Sequence, residues 1–364
     1  MKILHYINNL GSGGAEKLLT DILPAMKDRG LQVELMISNS DVNVEKYGRL
    51  LDANNIKIID LQKSFYNPLQ ISQIVRYVNK NKFDIVHAHL FPTQYWLSFA
   101  SLFFKSKVKL VKTEHSVFNE RKDYRILRPL EKFIYSQYDQ LIGITAEVKS
   151  NLETWLNRKD IVTIHNGVNI EQIKEERSAI DKKEYEFISG DYFNILMVGR
   201  FDGSQKDQQT LVRSLQFLPG NFKIYFAGEG QYKAEIKKMV DLEGVADRVI
   251  FLGLRQDIYK LMHLVDLNVL STNHEGLSGV VLESLASGQV FLGSDVVGVK
   301  EIVPDPRFLF TKGNAEQLAE KLLAIANDQD HRREMIETAL DYVTRFDISY
   351  MVDNYIKVYE SLQN

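Results

Sequence analysis

The feature that most constrains this chain is a rhythm: short apolar runs of strand length alternate with helix-period segments, and the series starts twice. Runs at 3–7, 33–37, 56–59, 85–88, 108–112, 141–144 and 161–164 come first, followed by runs at 193–198, 223–227, 249–252, 267–270 and 290–293. Strands separated by helices in this way form parallel sheets, because a parallel connection needs a crossover. The expected fold is α/β, with two Rossmann-like doubly wound domains. A chain of 364 residues is long enough to bury two cores. The expected boundaries are 1–170 for the first domain, 171–191 for a charged linker without apolar period, and 192–345 for the second. A last helix within 346–364 carries Tyr350, Tyr355, Ile356, Val358, Tyr359 and Leu362, an apolar face that needs docking.

Composition removes several classes of function. The chain has no cysteine, which excludes disulfides and thiolate metal sites. No stretch reaches the roughly 18 apolar residues of a spanning helix, and MKILHYI is too short for a signal peptide's apolar region, so the expected location is cytoplasmic. Charge is unevenly spread: residues 1–178 hold 25 Lys and Arg against 20 Asp and Glu, the remainder 20 against 28. Within 105–132 there are nine basic and four acidic residues, just after WLSFASLFF, and basic residues beside exposed aromatics suit an anionic membrane surface. A buried helix followed by a solvated face is the plainer account of the same run. No nucleic-acid motif is present.

Three loops carry the chemistry. GSGGAE, residues 11–16, lies between the first strand and a helix from about 14 to 29 that ends at Gly30 and contains a helix-kinking Pro24. The spacing fails the dinucleotide fingerprint, since the third glycine from Gly11 falls on Glu16, and the Lys-Ser/Thr of a Walker loop is missing. What remains is an anion site: Gly13 and Gly14 let backbone N–H groups at a helix start approach a phosphate. In MVGRFDGSQKDQQ, Arg200 follows a strand and Lys206 precedes a helix, a cation pair suited to a diphosphate. In NHEGLSGVVLESLASG, Glu275 and Glu283 flank a helix start near Gly279. The carboxylates can accept hydrogen bonds from sugar hydroxyls, and the N–H groups of Ser278, Gly279 and Val280 can hold phosphates between them.

Taken in order, GGAE, DIVHAH, HNGVN, GRFDGSQK and EGLSGVVLE resemble the retaining nucleotide-sugar glycosyltransferases of family 4, and the resemblance spans essentially the whole chain. It implies a GT-B fold, two Rossmann-like domains facing across a cleft with the C-terminal helix returning to the first. It implies transfer of a sugar from a nucleotide diphosphate, without cofactor or metal, to a hydroxyl of a glycan, glycolipid or lipid-linked acceptor, as in bacterial surface polysaccharide synthesis, with a UDP-sugar the expected donor. Residue by residue, Glu283 takes the ribose and Glu275 lies by the donor sugar. Arg200 and Lys206 grip the diphosphate, and the turn at Gly13 and Gly14 closes over it. His115, in KTEHS, stands near the reacting carbon. Leu277, Ser278 and Gly279 replace the aromatic-glycine form frequent in the family, in a loop that contacts the donor sugar. His87 and His89, with His115 and Glu114, invite a metal reading. It is set aside because DIVHAH recurs in the family and because the two histidines are expected on opposite faces of a strand. A sugar-nucleotide epimerase or phosphorylase, and a noncatalytic nucleotide-sugar-binding subunit, are the alternatives.

Overall fold

The structure is a computed structural model that describes residues 1–11, 13–116 and 125–363. Part of the basic segment 105–132 lies outside the described residues. The chain divides into two compact units, Met1–Gly167 with Ile348–Asn364, and Val168–Asp347.

The first unit is built on β1 (Lys2–Ile7), β2 (Gln32–Ile37), β3 (Lys57–Asp60), β4 (Ile85–His89), β5 (Lys109–Glu114), β6 (Gln140–Gly143) and β7 (Ile161–Thr163). These form one seven-stranded sheet in the order β3-β2-β1-β4-β5-β6-β7, and every pair is parallel. The second unit has β8 (Phe193–Val198), β9 (Phe222–Ala227), β10 (Val249–Gly253), β11 (Leu267–Leu270), β12 (Val290–Ser294) and β13 (Leu309–Phe310), again all parallel, in the order β10-β9-β8-β11-β12-β13. Strand order reverses between β1 and β4 in one sheet and between β8 and β11 in the other. In doubly wound sheets the loops leaving the strand C-termini at such a reversal bind ligands.

The helix Gly14–Asp28 runs through Pro24, with Leu18, Leu19, Ile22, Leu23 and Met26 buried, and Gly30 at φ +82° ends it. The helix Ile348–Ser361 packs on the first unit: Ile348, Met351, Val352, Tyr355 and Tyr359 join Ile3, Leu19, Leu23, Val111 and Ile142 in one core. Gly167 makes that docking possible, because a Cβ there would meet the Ile348 Cα at 2.8 Å. Segment 171–191, expected as a linker, belongs to the second unit. It holds the helix Ile170–Ser178, capped by the Asn169 side chain, and a 3-10 turn, Lys182–Tyr185. Ile173 and Tyr185 are the anchors, both buried. Two apolar residues so far apart leave no period to read.

Candidate active site

In the second unit, the loop after β8 carries Arg200 and Lys206, and the loop after β11 carries Glu275. The two loops are stitched together. Asp207 N–H donates to Ser271 O at 3.0 Å and Asn273 N–H to Gln205 O at 2.7 Å, with a bridge between Lys206 and Thr272. The Asp202 carboxylate collects the N–H groups of Ser204, Gln205 and Lys206 at 2.8 to 3.1 Å and shapes the turn. The Lys206 ammonium then pairs with the Glu275 carboxylate, the side chains being 11% and 6% exposed. Gln205 Nε2 donates to the same carboxylate at 3.1 Å and Thr272 Oγ1 at 2.9 Å. Glu275, read from sequence as a loop acid beside the sugar, is therefore also the counterion of Lys206. Arg200 is exposed, and its guanidinium makes no ion pair among the described residues.

Glycines fix this geometry from behind. Gly298, at φ +80°, places its α-carbon where a Cβ would lie 2.6 Å from the carbonyl oxygens of both Glu275 and Gly276. Gly228 backs the Arg200 loop, with a Cβ position 2.1 Å from Gly199 O. The sequence reading passed over both, although a glycine just beyond a strand end in each case is the signal of close backbone approach.

The helix Gly279–Ala286 starts directly after this loop, with Ser278 as N-cap and no side-chain cap bond. Val281 N–H donates to Ser278 O at 3.1 Å, while the N–H groups of Gly279 and Val280 have no acceptor among the described residues. Free amides at a helix start are of the kind that can hold an anion. Leu277 and Ser278 are buried and hold the loop in place. Glu283 lies one turn inside the helix and accepts from Tyr259 Oη at 3.2 Å.

In the first unit, Gly13 is the N-cap of the helix Gly14–Asp28 and Gly14 its first residue, as the sequence implied. The Glu16 carboxylate folds back over Gly13, so that a Cβ there would lie 2.2 Å from Glu16 Oε2. The helix start thus already carries a negative group from its own first turn.

His115 follows β5 and belongs to a cluster. The expectation that His87 and His89 face opposite ways is wrong: residues two apart on a strand share a face, and their ring centroids are 4.1 Å apart. Register puts His5 opposite His87 and His89 opposite Thr113, on that same face. His87 donates or accepts at Tyr359 Oη (2.7 Å) and Thr113 Oγ1 (2.8 Å). Nitrogens of His5, His87 and His89 lie within 4.8 Å of one another, a spacing open to a metal ion, though an ion on His87 would displace one of those hydroxyls. Burial pushes His5 and His115 down to about 3 and holds His87 and His89 well below the ordinary histidine range, so all four are neutral. The chain's Asp-x-Asp, Asp328 to Asp330, is a helix cap: Asp328 accepts from the N–H groups of Asp330 and His331.

Known proteins share this organisation. Residues 12–172 match the family model described as Glycosyltransferase Family 4, and residues 179–341 match Glycosyl transferases group 1. The chain is 22% identical over 362 residues to the N-acetyl-alpha-D-glucosaminyl L-malate synthase of Bacillus anthracis, covering 95% of this chain and 93% of the relative. It is 25% identical over 362 residues to a Campylobacter jejuni N-acetylgalactosaminyltransferase acting on a diphospho-undecaprenol substrate, covering 94% of each. Anabaena Alr3699/HepE, solved in complex with UDP and glucose, superposes with a TM-score of 0.85 at 19% identity, over 99% of this chain and 100% of that one. From the two matched models, which between them span most of the chain, and from the paired Rossmann-like sheets, the chain belongs to the family 4 glycosyltransferases and has the GT-B fold.

Proposed function

We propose that the chain moves a sugar from a nucleoside diphosphate, UDP in the first instance, to a hydroxyl of a lipid-linked or glycan acceptor, with retention of anomeric configuration. The observation that carries this reading is the Lys206–Glu275 pair joining the loops that leave β8 and β11, at the reversal of strand order in the second unit, with the free amides of Gly279 and Val280 at the helix start that follows Glu275 in the chain. Relatives whose names specify diphospho-undecaprenol substrates, and a neighbour of like fold holding UDP, support the choice of substrates.

In this reading the diphosphate lies against the amides of Ser278, Gly279 and Val280, with Arg200 and Lys206 on its oxygens. Glu283 takes the ribose and Glu275, with Leu277, borders the sugar. Gly13 and Gly14 form a further phosphate-binding turn on the first unit. As the bond between the anomeric carbon and the phosphate oxygen lengthens, positive charge grows on the sugar and negative charge on the leaving group. Cations and amides aimed at those oxygens stabilise that state more than the ground state. The departing phosphate oxygen takes the proton of the acceptor hydroxyl as the new glycosidic bond forms on the same face. No separate nucleophile is required.

The acceptor's lipid suggests where the first unit works. Leu102, Phe103, Ile126, Leu130 and Phe133 are exposed apolar residues, and Lys105, Lys107, Arg128 and Lys132 stand among them in the chain. Phe99 and Phe133 rings, 6.3 Å apart, tie the two segments together. Such a surface suits peripheral contact with an anionic membrane. The experiment is release of nucleoside diphosphate from a panel of nucleotide sugars, with lipid-linked acceptors, and assignment of the product anomer by NMR. Turnover with retention is expected. Inversion, or conversion of the donor without an acceptor, overturns the reading.

A further inference from the structure

Three of the clustered histidines form a line. His5 Nδ1 lies 3.0 Å from His89 Nε2, and His89 Nδ1 lies 3.1 Å from His115 Nε2. They sit on β1 and β4, the strands flanking the order reversal of the first sheet, and just after β5, which is next to β4. His87 is not part of the line, since its nitrogens are engaged by Tyr359 and Thr113.

A neutral imidazole has one N–H and one lone pair. Both contacts of His89 are therefore made in only two ways. Either all three rings carry the proton on Nδ1, or all three carry it on Nε2; any mixture sets two N–H groups or two lone pairs face to face. The choice is made at the ends of the line. His5 Nε2 and His115 Nδ1 are both buried and without a partner among the described residues. With the protons on Nε2, the spare N–H belongs to His5, a ring with no exposure at all. With the protons on Nδ1, His5 ends in a lone pair and the spare N–H belongs to His115, half-buried at a strand C-terminus. A buried N–H without an acceptor is a costly defect at either end, but only the His115 end, on a ring that is partly exposed, lies where a substrate oxygen can supply the acceptor. Burial supports the argument by keeping the rings neutral, and the nearby positive charge of Lys112 acts on His89 and His115 in the same direction.

We propose that His5 and His89 are positioning residues that lock His115 in its Nδ1–H tautomer, making it a hydrogen-bond donor to an oxygen of the sugar substrate and not a base. The proposal rests on the glycosyl-transfer reading for its ligand, but its first test does not. Long-range 1H–15N spectra of the full chain with 15N-labelled histidine report each tautomer directly. The expected result is Nδ1–H at His5, His89 and His115 together; a mixture among the three, or Nε2–H at His115, overturns it. The second arm is His5→Phe, which keeps the core filled and removes the end of the line. His115 should then appear as two tautomers, and kcat should fall about tenfold or more with little change in the donor KM, as when a catalytic imidazole loses its tautomeric support. A single unchanged tautomer and unchanged kcat overturn the proposal. Absence of transfer from every donor would sink the functional reading while leaving the spectral result intact.

Discussion

Replacing Glu275 by Gln separates the two duties assigned to that carboxylate. Glu275 and Lys206 side chains are 6% and 11% exposed, so the pair is desolvated on both sides. Removing one partner of such a pair leaves an uncompensated charge, at a cost of about 3 to 5 kcal/mol. Glutamine keeps an oxygen for Thr272 and Gln205, so the lower end applies, about 3 kcal/mol. For a unit of this size, each kcal/mol shifts the melting midpoint by about 2 to 4 °C, which gives a fall of about 6 to 12 °C in a calorimetric scan without ligand. UDP should then restore more stability to the variant than to the parent, because Lys206, freed from its internal counterion, turns fully to the diphosphate. The affinity for UDP should rise by about tenfold, corresponding to about 1.4 kcal/mol, while sugar transfer falls. The assay is calorimetry of unfolding and of UDP binding on both proteins. Unchanged or weaker UDP binding by Glu275→Gln, alongside the predicted loss of stability, would refute the assignment of Lys206 to the phosphates.

Arg200 is exposed and its side chain makes no ion pair among the described residues, so Arg200→Ala should leave the melting temperature unchanged and lower turnover by about 10² to 10³, as for removal of a donor to a developing negative charge; equal turnover at saturating donor contradicts its role. Gly298→Ala places a methyl group 2.6 Å from two carbonyl oxygens at φ +80°, costing about 1 to 3 kcal/mol of strain and displacing the Glu275 loop; melting and kcat should fall together. Tyr359→Phe removes the hydroxyl on His87 Nδ1 in a buried site and should cost about 1 to 3 kcal/mol, read in a denaturant titration, with activity little changed. Stability should fall in acid. His5 and His115 bind protons near 3 when folded and at the ordinary 6.5 when unfolded, so the unfolded chain binds more protons between those values. Their contribution is complete above about pH 6.5 and is lost as pH falls toward 3, by up to about 1.4 kcal/mol per ring and pH unit; a flat denaturant midpoint from pH 7.5 to 5 would contradict it.

What the sequence disclosed and what it hid follow from locality. The strands of both sheets are short runs of Ile, Val, Leu and Phe bounded by turns, and every run named from the sequence overlaps an observed strand. β13 escaped because two residues, Leu309 and Phe310, give no periodicity. The helix Ile170–Ser178 escaped because one buried residue, Ile173, anchors an otherwise charged segment. In the site, Lys206, Glu275 and the helix start at Gly279 fall within short stretches of chain, so their spacing is legible. The ion pair between Lys206 and Glu275 is not, because it depends on two loops meeting across the boundary of β8 and β11. The histidine line is more remote still: it joins positions 84 and 26 residues apart and exists only through the register of β1, β4 and β5.

A crystal structure of the chain with UDP tests the central claim most directly. The account predicts diphosphate oxygens within about 3.2 Å of the Gly279 and Val280 N–H groups, with the Arg200 guanidinium and the Lys206 ammonium on the same oxygens. A diphosphate held elsewhere, with those amides and both cations facing solvent, would contradict it.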